Sequence, residues 1–229
     1  MREIPILYEN DYCMVFDKPA GLAVQGGEGV KTSLDSLLSQ KYKPRPLLVH
    51  RLDKETSGVI LVAKAKDAAK FFSALFAGGE EGKPEKRSAI VKRYLGLCSG
   101  IPNAEQGSIA IALDVKGKRE SVKESETFYR LISSGDIYGT PFSLLELELG
   151  SGRMHQIRRH LAKIGHPLLG DDKYGDFPLN KKLKKAIGLK HLLLHASRLI
   201  IPPCEMLPGG LDVSAPLPEL WKSFSANCT

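Results

Sequence analysis

Residues 47–63 read Leu47-Leu48-Val49-His50-Arg51-Leu52-Asp53-Lys54-Glu55-Thr56-Ser57-Gly58-Val59-Ile60-Leu61-Val62-Ala63. Two apolar runs of strand character, 47–49 and 59–63, enclose a polar nonapeptide, so the nonapeptide is a turn that presents Asp53 at a surface. Arg51 and Lys54 beside it favour the ionised carboxylate. Thr56 and Ser57 can satisfy turn amides, and Gly58 tolerates backbone angles closed to other residues. A charged, positioned carboxylate is a candidate nucleophile. An aspartate that merely closes a turn is the structural alternative, and this stretch by itself leaves both open.

Toward the N-terminus, Tyr12 to Phe16 is extended and ends at Lys18-Pro19, where proline holds its predecessor out of the helical region. Gly21, Gly26, Gly27 and Gly29 mark a surface loop, and no P-loop Lys-Ser/Thr follows in register to make it a nucleotide site. Thr32 to Gln40 has a capping hydroxyl and Leu34, Leu37 and Leu38 at helical spacing. Asp67 to Ala77 predicts a second helix with Ala68, Phe71, Phe72, Leu75 and Phe76 on its apolar side. Gly78 to Lys86 is a polar insertion of mobile-loop character. Ala89 to Cys98 and Ser143 to Leu149 predict strands, the latter alternating Leu145, Leu147 and Leu149 against Glu146 and Glu148.

After Ser151-Gly152 comes a helix whose Met154, Ile157, Leu161 and Ile164 repeat at spacings of three, four and three, which assigns all four to the core. Arg158 lies at the edge of that stripe and can either close a structural ion pair or reach outward. Between Leu179 and Leu189 a short helix anchored by Leu183 and Ile187 spreads Lys181, Lys182, Lys184 and Lys185 over a broad face. No repeat or linker divides the chain, so residues 1–229 are expected to form a single domain. Strands and helices alternate without the strict rhythm of a doubly wound sheet.

Of the 229 residues, 33 are Lys or Arg and 26 Asp or Glu, a net charge of +7 that suits a polyanionic partner. The excess is concentrated, since residues 151–198 hold eleven basic side chains and three acidic ones. The four cysteines, Cys13, Cys98, Cys204 and Cys228, form no CxxC pair, which gives neither a zinc knuckle nor a disulfide framework. The N-terminus lacks signal-peptide character and no apolar run approaches membrane-spanning length. A cytoplasmic protein without a membrane partner is the expectation. His155 and His160 are five apart with no carboxylate between them, a poor fit to metal-ligand spacing, so no metal is assigned and a nuclease is unsupported.

The stretch from His50 to Gly58 resembles the catalytic-aspartate motif of the RluA family of RNA pseudouridine synthases. The resemblance continues in the family's order through Asp17-Lys18-Pro19-Ala20-Gly21-Leu22, Lys92-Arg93-Tyr94-Leu95 and Gly152-Arg153-Met154-His155-Gln156-Ile157-Arg158-Arg159-His160-Leu161. Gly165 to Asp171 with Tyr174-Gly175, and Leu194-His195-Ala196-Ser197, complete it. Membership implies a mixed α/β (α+β) fold on a largely antiparallel sheet with flanking helices and a central catalytic cleft. It implies isomerisation of uridine to pseudouridine without a cofactor, with Asp53 as nucleophile or initiator of glycal formation, Tyr94 stacking on the uracil and Arg158 as counter-ion of Asp53.

Arg51, Arg153, His155 and Arg159 become phosphate or RNA contacts with the four lysines, and His50 and His155 each either orient a loop or contact phosphate. Met154 departs from the family's usual small hydroxylated residue. The family's ribosomal members commonly carry an S4-like RNA-binding domain, which this chain is expected to lack, so target choice would lie in the catalytic domain. Large-subunit ribosomal RNA is the expected substrate and transfer RNA the alternative, for a monomer acting alone. A non-catalytic RNA-binding paralogue is disfavoured because Asp53, Tyr94 and Arg158 are all present.

Overall fold

A computed structural model of the chain describes residues 3–77, 90–114, 122–123, 125–149 and 152–225. The expected loop at Gly78 to Lys86 lies outside them. In chain order the elements are β1 (Ile6–Glu9), β2 (Cys13–Lys18), α1 (Leu34–Lys41), β3 (Leu47–Leu48), β4 (Ser57–Ala63), α2 (Lys66–Phe76), β5 (Val91–Ser99), β6 (Gln106–Ala110), β7 (Leu113–Asp114) and β8 (Val122–Lys123). They continue as β9 (Glu126–Asp136), β10 (Pro141–Leu149), α3 (Gln156–Lys163), α4 (Phe177–Ile187), β11 (Leu194–Ile201), β12 (Leu211–Ser214) and α5 (Glu219–Ser225). The result is a mixed α/β fold dominated by antiparallel strand pairing. Two compact units divide it, Met1–Lys92 with Ala196–Pro216, and Arg93–His195 with Leu217–Thr229.

In the first unit β2 pairs antiparallel with β1 and with β4, in a register that sets Cys13 opposite Ala63 and Phe16 opposite Ile60. All seven residues of β4 are buried, which explains a continuous apolar run where a half-exposed strand would alternate. β3 pairs with the end of β4, so residues 49–56 form the connection between them, and Ser57 and Gly58 of the nonapeptide already belong to β4. α2 places Ala68 and Phe72 on Cys13, Val15 and Leu61; burying a side chain such as Phe72 is worth about 1.5–3 kcal/mol. Ser33, one residue after Thr32, caps α1 through a reciprocal pair with Ser36. Gly58 has φ +105, and a Cβ there would lie 2.2 Å from the Ala196 carbonyl oxygen, so only glycine can start β4 beside β11.

In the second unit β10 lies between β5 and β9, and β6 extends the sheet on β9. Leu145 and Leu147 are fully buried. Their alternating partners face outward in cross-strand pairs, Glu146 with Arg130 at 3.1 Å and Glu148 with Arg93 at 3.6 Å. α4 and α5 bring Leu179, Leu183, Trp221 and Phe224 onto Leu97, Ile137 and Phe142.

Two core assignments fail. Met154 is 41% exposed and Ile164 36% exposed, whereas Ile157 and Leu161 are buried as expected. His155 takes a left-handed φ of 52 as N-cap and Ile164 is already the C-cap, so α3 spans only eight residues and the apolar pattern overruns both its ends.

Candidate active site

Asp53 is half-buried in the turn between β3 and β4, next to the buried Leu52. The turn is fastened from beneath by Lys18, the last residue of β2, whose side chain is fully buried. Its Nζ donates to the carbonyls of Pro19 and Leu22 at 2.9 Å each and of Lys54 at 3.1 Å, which uses all three ammonium hydrogens. The Gly21 amide also donates to the Lys54 carbonyl, at 2.9 Å, and the Thr56 amide to the Asp53 carbonyl, at 3.2 Å. Segments 19–22 and 53–56 are thereby tied into one rigid loop. Burial pushes the Lys18 pKa down to about 8, opposed by the carboxylates of Glu55, Asp53 and Asp17. At neutral pH the ammonium persists, a positive charge within Coulombic reach of Glu55, Asp53 and Asp17.

His50 braces the other flank. Its ring stacks on Phe76 with centroids 4.0 Å apart, and its Nε2 accepts the Leu61 amide at 2.9 Å. That bond selects the neutral Nδ1–H tautomer. Burial, with Lys92 adding to it, pushes the imidazole down to about 3. Of the two roles the sequence left open, His50 performs loop orientation. Arg51 next to it is exposed.

In the second unit Tyr94 lies on β5 opposite Leu147 and is 9% exposed. Arg158, on α3, is buried, with Nε 2.8 Å from Oδ2 and Nη2 2.7 Å from Oδ1 of Asp171, and Nη2 3.0 Å from Oδ1 of Asp172. Asp171 also accepts the amides of Lys173 and Tyr174, each at 2.9 Å. Burial would raise the Asp171 pKa, but the Arg158 bonds and those two amides outweigh it and hold the carboxyl below its usual range. Asn180 clasps the same loop, accepting the Gly170 amide at 2.8 Å and donating to the Asp171 carbonyl at 2.9 Å.

α3 itself is pinned to β9. Gln156 donates to the Glu126 carbonyl at 2.9 Å and to Thr127 Oγ1 at 3.2 Å, while its Oε1 accepts the Arg153 amide at 3.1 Å. His160, fully buried, lies 2.9 Å from Thr127 Oγ1 through Nδ1 and 3.1 Å from the Ile111 carbonyl through Nε2. These partners select the Nε2–H tautomer, and burial lowers its pKa.

The residues singled out from the sequence thus divide between the units, Asp53, His50 and Arg51 in the first and Tyr94, Arg153, His155, Arg158, Arg159 and the α4 lysines in the second. Arg153 is exposed and Arg159 half-buried, while His155 Nδ1 lies 3.2 Å from the Tyr174 hydroxyl. Lys181, Lys182, Lys184 and Lys185 are exposed, but Lys182 Nζ donates to the Tyr138 carbonyl at 2.6 Å. Sequence reasoning did not assign roles to Lys18, Gln156 or Asp171. Lys18 stands in the Asp17-Lys18-Pro19-Ala20-Gly21-Leu22 stretch that carried the resemblance, which was the available signal for it. Among the described residues no group of three or more His, Cys, Asp or Glu is arranged to hold a metal, and no helix is long and apolar enough to cross a membrane.

Residues 11–163, which include Asp53, Tyr94 and Arg158, match the family model described as RNA pseudouridylate synthase. The chain is 32% identical to a tRNA pseudouridine synthase C of Haemophilus ducreyi, over 96% of this chain and 93% of the relative. It is 35% identical to a ribosomal large subunit pseudouridine synthase C of Rickettsia felis, over 97% of this chain and 70% of the relative. The solved structure of human RNA pseudouridylate synthase domain containing 1 superposes with a TM-score of 0.75 at 25% identity, covering 99% of this chain and 89% of that one.

Proposed function

The chain belongs to the RNA pseudouridylate synthase family, of RluA type, and we propose that its substrate is large-subunit ribosomal RNA, with Asp53 as the catalytic carboxylate, acting as nucleophile or initiating glycal formation. The reaction is an isomerisation. The bond from ribose C1′ to uracil N1 breaks, the base turns, C5 joins C1′, and the proton released from C5 is balanced by one gained at N1. No electrons are exchanged and no group leaves, so the chemistry requires no cofactor.

The observation that carries this reading is the Lys18 clamp, which fastens the loop bearing Asp53 to segment 19–22 through three backbone carbonyls. A nucleophile positioned in advance lowers the entropic part of the barrier. The target atoms of a stacked uridine are out of reach, so the nucleotide is extruded at a cost of a few kcal/mol. Tyr94 is assigned the face on which the extruded uracil stacks, worth about 1–3 kcal/mol. Arg158 is assigned as the counter-ion of the Asp53 carboxylate, while Arg51, Arg153, His155, Arg159 and lysines of α4 contact the RNA backbone. The same reading has the protein acting as a monomer in the cytoplasm.

Transfer RNA is the second reading, favoured by the match to the Haemophilus ducreyi protein over 93% of its length against 70% for the ribosomal relative. Pseudouridine mapping in total RNA from cells lacking this protein, complemented with wild type or with Asp53→Asn, separates the two. The expected result is loss of one or more ribosomal sites, restored by wild type alone. Loss confined to transfer RNA moves the substrate there, and restoration by Asp53→Asn removes Asp53 from the chemistry.

A further inference from the structure

Helix α4 has a two-sided composition that its packing explains only on one side. Leu179 and Leu183 are buried and Ile187 partly so, against Ile137, Phe142 and Trp221. The opposite face holds Phe177, Lys181, Lys184 and Lys185, at positions i, i+4, i+7 and i+8, which lie together on a helix. Phe177 is 58% exposed.

A second exposed aromatic adjoins the same helix. Tyr138, at the tip of the β9–β10 hairpin, is 56% exposed, and together with Phe177 it is the most exposed large hydrophobic among the described residues. Its φ is +54, followed by Gly139 at +72, a tight hairpin turn in which Asn, Asp or Gly is the usual residue. A tyrosine there bears backbone strain without packing in return. Lys182 fixes the turn to the helix, its Nζ 2.6 Å from the Tyr138 carbonyl and 3.5 Å from Thr140 Oγ1. The Asp136 carboxylate holds the turn from the other end by accepting the Gly139 amide at 2.7 Å. The consequence is a basic helix face with an exposed ring at its start and a second exposed ring on the hairpin turn that Lys182 ties to the same helix.

We propose that this face, built from Phe177, Tyr138, Lys181, Lys184 and Lys185, binds a single-stranded segment of RNA outside the reacting uridine, with the rings stacking on bases and the lysines neutralising phosphates. The combination of ring faces with backbone-tracking cations is what sequence-tolerant binding of single strands requires. Lys182 belongs to the scaffold instead of the contact surface. The proposal rests on the reading of the protein as an RNA enzyme and adds where an unpaired flank of its substrate is held.

The test uses the full chain and direct binding, read by fluorescence anisotropy with a labelled single-stranded oligoribonucleotide and an RNA duplex of equal charge. Phe177→Ala and Tyr138→Asn each remove a ring from the surface, and Asn suits the left-handed turn, so both variants should melt like wild type. Each is expected to weaken single-strand binding about fivefold or more and duplex binding less than twofold. The triple variant Lys181→Gln, Lys184→Gln, Lys185→Gln should weaken both and flatten the log-affinity against log-salt slope by about two, at roughly 0.7 per phosphate on a single strand.

Aromatic variants that bind the single strand like wild type, or that lose both RNAs equally, overturn the stacking surface. An unaltered salt slope in the triple variant overturns the phosphate contacts. Turnover is measured separately. Ring-dependent binding by a protein that forms no pseudouridine in any RNA would sink the synthase reading while leaving this surface in place.

Discussion

The guanidinium of Arg158 is bidentate on the carboxylate of Asp171, at 2.8 and 2.7 Å, with the two side chains 5% and 1% exposed. Arg158 is thus held in one orientation within the folded chain, and on the proposed reading of Arg158, Asp171 is a positioning residue. Removing one partner of a buried pair costs about 3–5 kcal/mol, because the remaining charge stays desolvated. Asp172, at 3.0 Å but 78% exposed, offsets part of that. Asp171→Asn should lower stability by about 3 kcal/mol in urea denaturation and depress kcat more than it raises KM, whereas Asp172→Asn should cost less than about 1 kcal/mol. Because the folded Asp171 pKa lies below its ordinary 3.8, its stabilisation is complete above that value and is lost as pH falls through the lower folded one. A variant as stable as wild type at pH 7 with unchanged kcat would remove Asp171 from this role.

Which parts of this arrangement were legible in the sequence follows from the range of the interactions. β2, α2 and β10 were readable within a residue or two because local periodicity decides them. The ends of α3 were not, because they depend on a left-handed histidine at 155, and although histidine is enriched in that region only a small minority of histidines adopt it. Asp53 was legible as a motif, and its setting was partly so, since the flanking apolar runs really are paired strands. Its support was hidden, because a lysine is almost never fully buried and Lys18 is satisfied by three carbonyls that side-chain identities do not specify. Arg158 left ion pair and outward reach both open, and the acid that grips it lies on a loop thirteen residues away.

Gly58 and Gly29 separate two reasons for a positive φ. At Gly58 a Cβ would lie 2.2 Å from the Ala196 carbonyl oxygen, while at Gly29 nothing lies within 4 Å. Gly29→Ala should therefore cost only the backbone strain, about 1 kcal/mol, and leave turnover intact. Gly58→Ala must displace backbone next to the Asp53 loop, so a loss of about 3–5 kcal/mol and of nearly all activity is expected. Equal melting temperatures for the two variants would contradict the close approach.

His50 is neutral in the folded protein, its pKa pushed from an ordinary 6.5 to about 3 by burial beside Lys92. Between those values the unfolded chain binds a proton that the folded one refuses, so acid weakens the fold through this group by up to about 1.4 kcal/mol per pH unit. His50→Gln keeps an acceptor for the Leu61 amide and cannot titrate. The difference in stability between wild type and this variant should therefore shift against wild type as pH drops from 6.5, and a constant difference down to pH 4 would exclude a neutral His50 in the folded protein.

Lys18 reverses the usual behaviour of a lysine that gains a partner, because its folded pKa of about 8 lies below the ordinary 10.5. From about pH 8 to 10.5 the unfolded chain holds the proton that the folded chain has released, so this group makes the protein more stable as pH rises, again by up to about 1.4 kcal/mol per unit. Activity should move the other way. A neutral amine has two hydrogens for three carbonyls, so the tie between segments 19–22 and 53–56 loosens and the charge within Coulombic reach of Asp53 disappears. Turnover is therefore expected to fall through about pH 8 while the stability of wild type relative to Lys18→Met rises. At pH 7 that variant should be about 2–3 kcal/mol less stable, since the Pro19 and Leu22 carbonyls lose the donor that Lys18 supplies, whereas the Lys54 carbonyl keeps the Gly21 amide. A turnover profile flat to pH 9.5, measured by single-turnover assay on saturating RNA, would separate the Lys18 charge from the chemistry at Asp53 and leave the clamp a purely structural device.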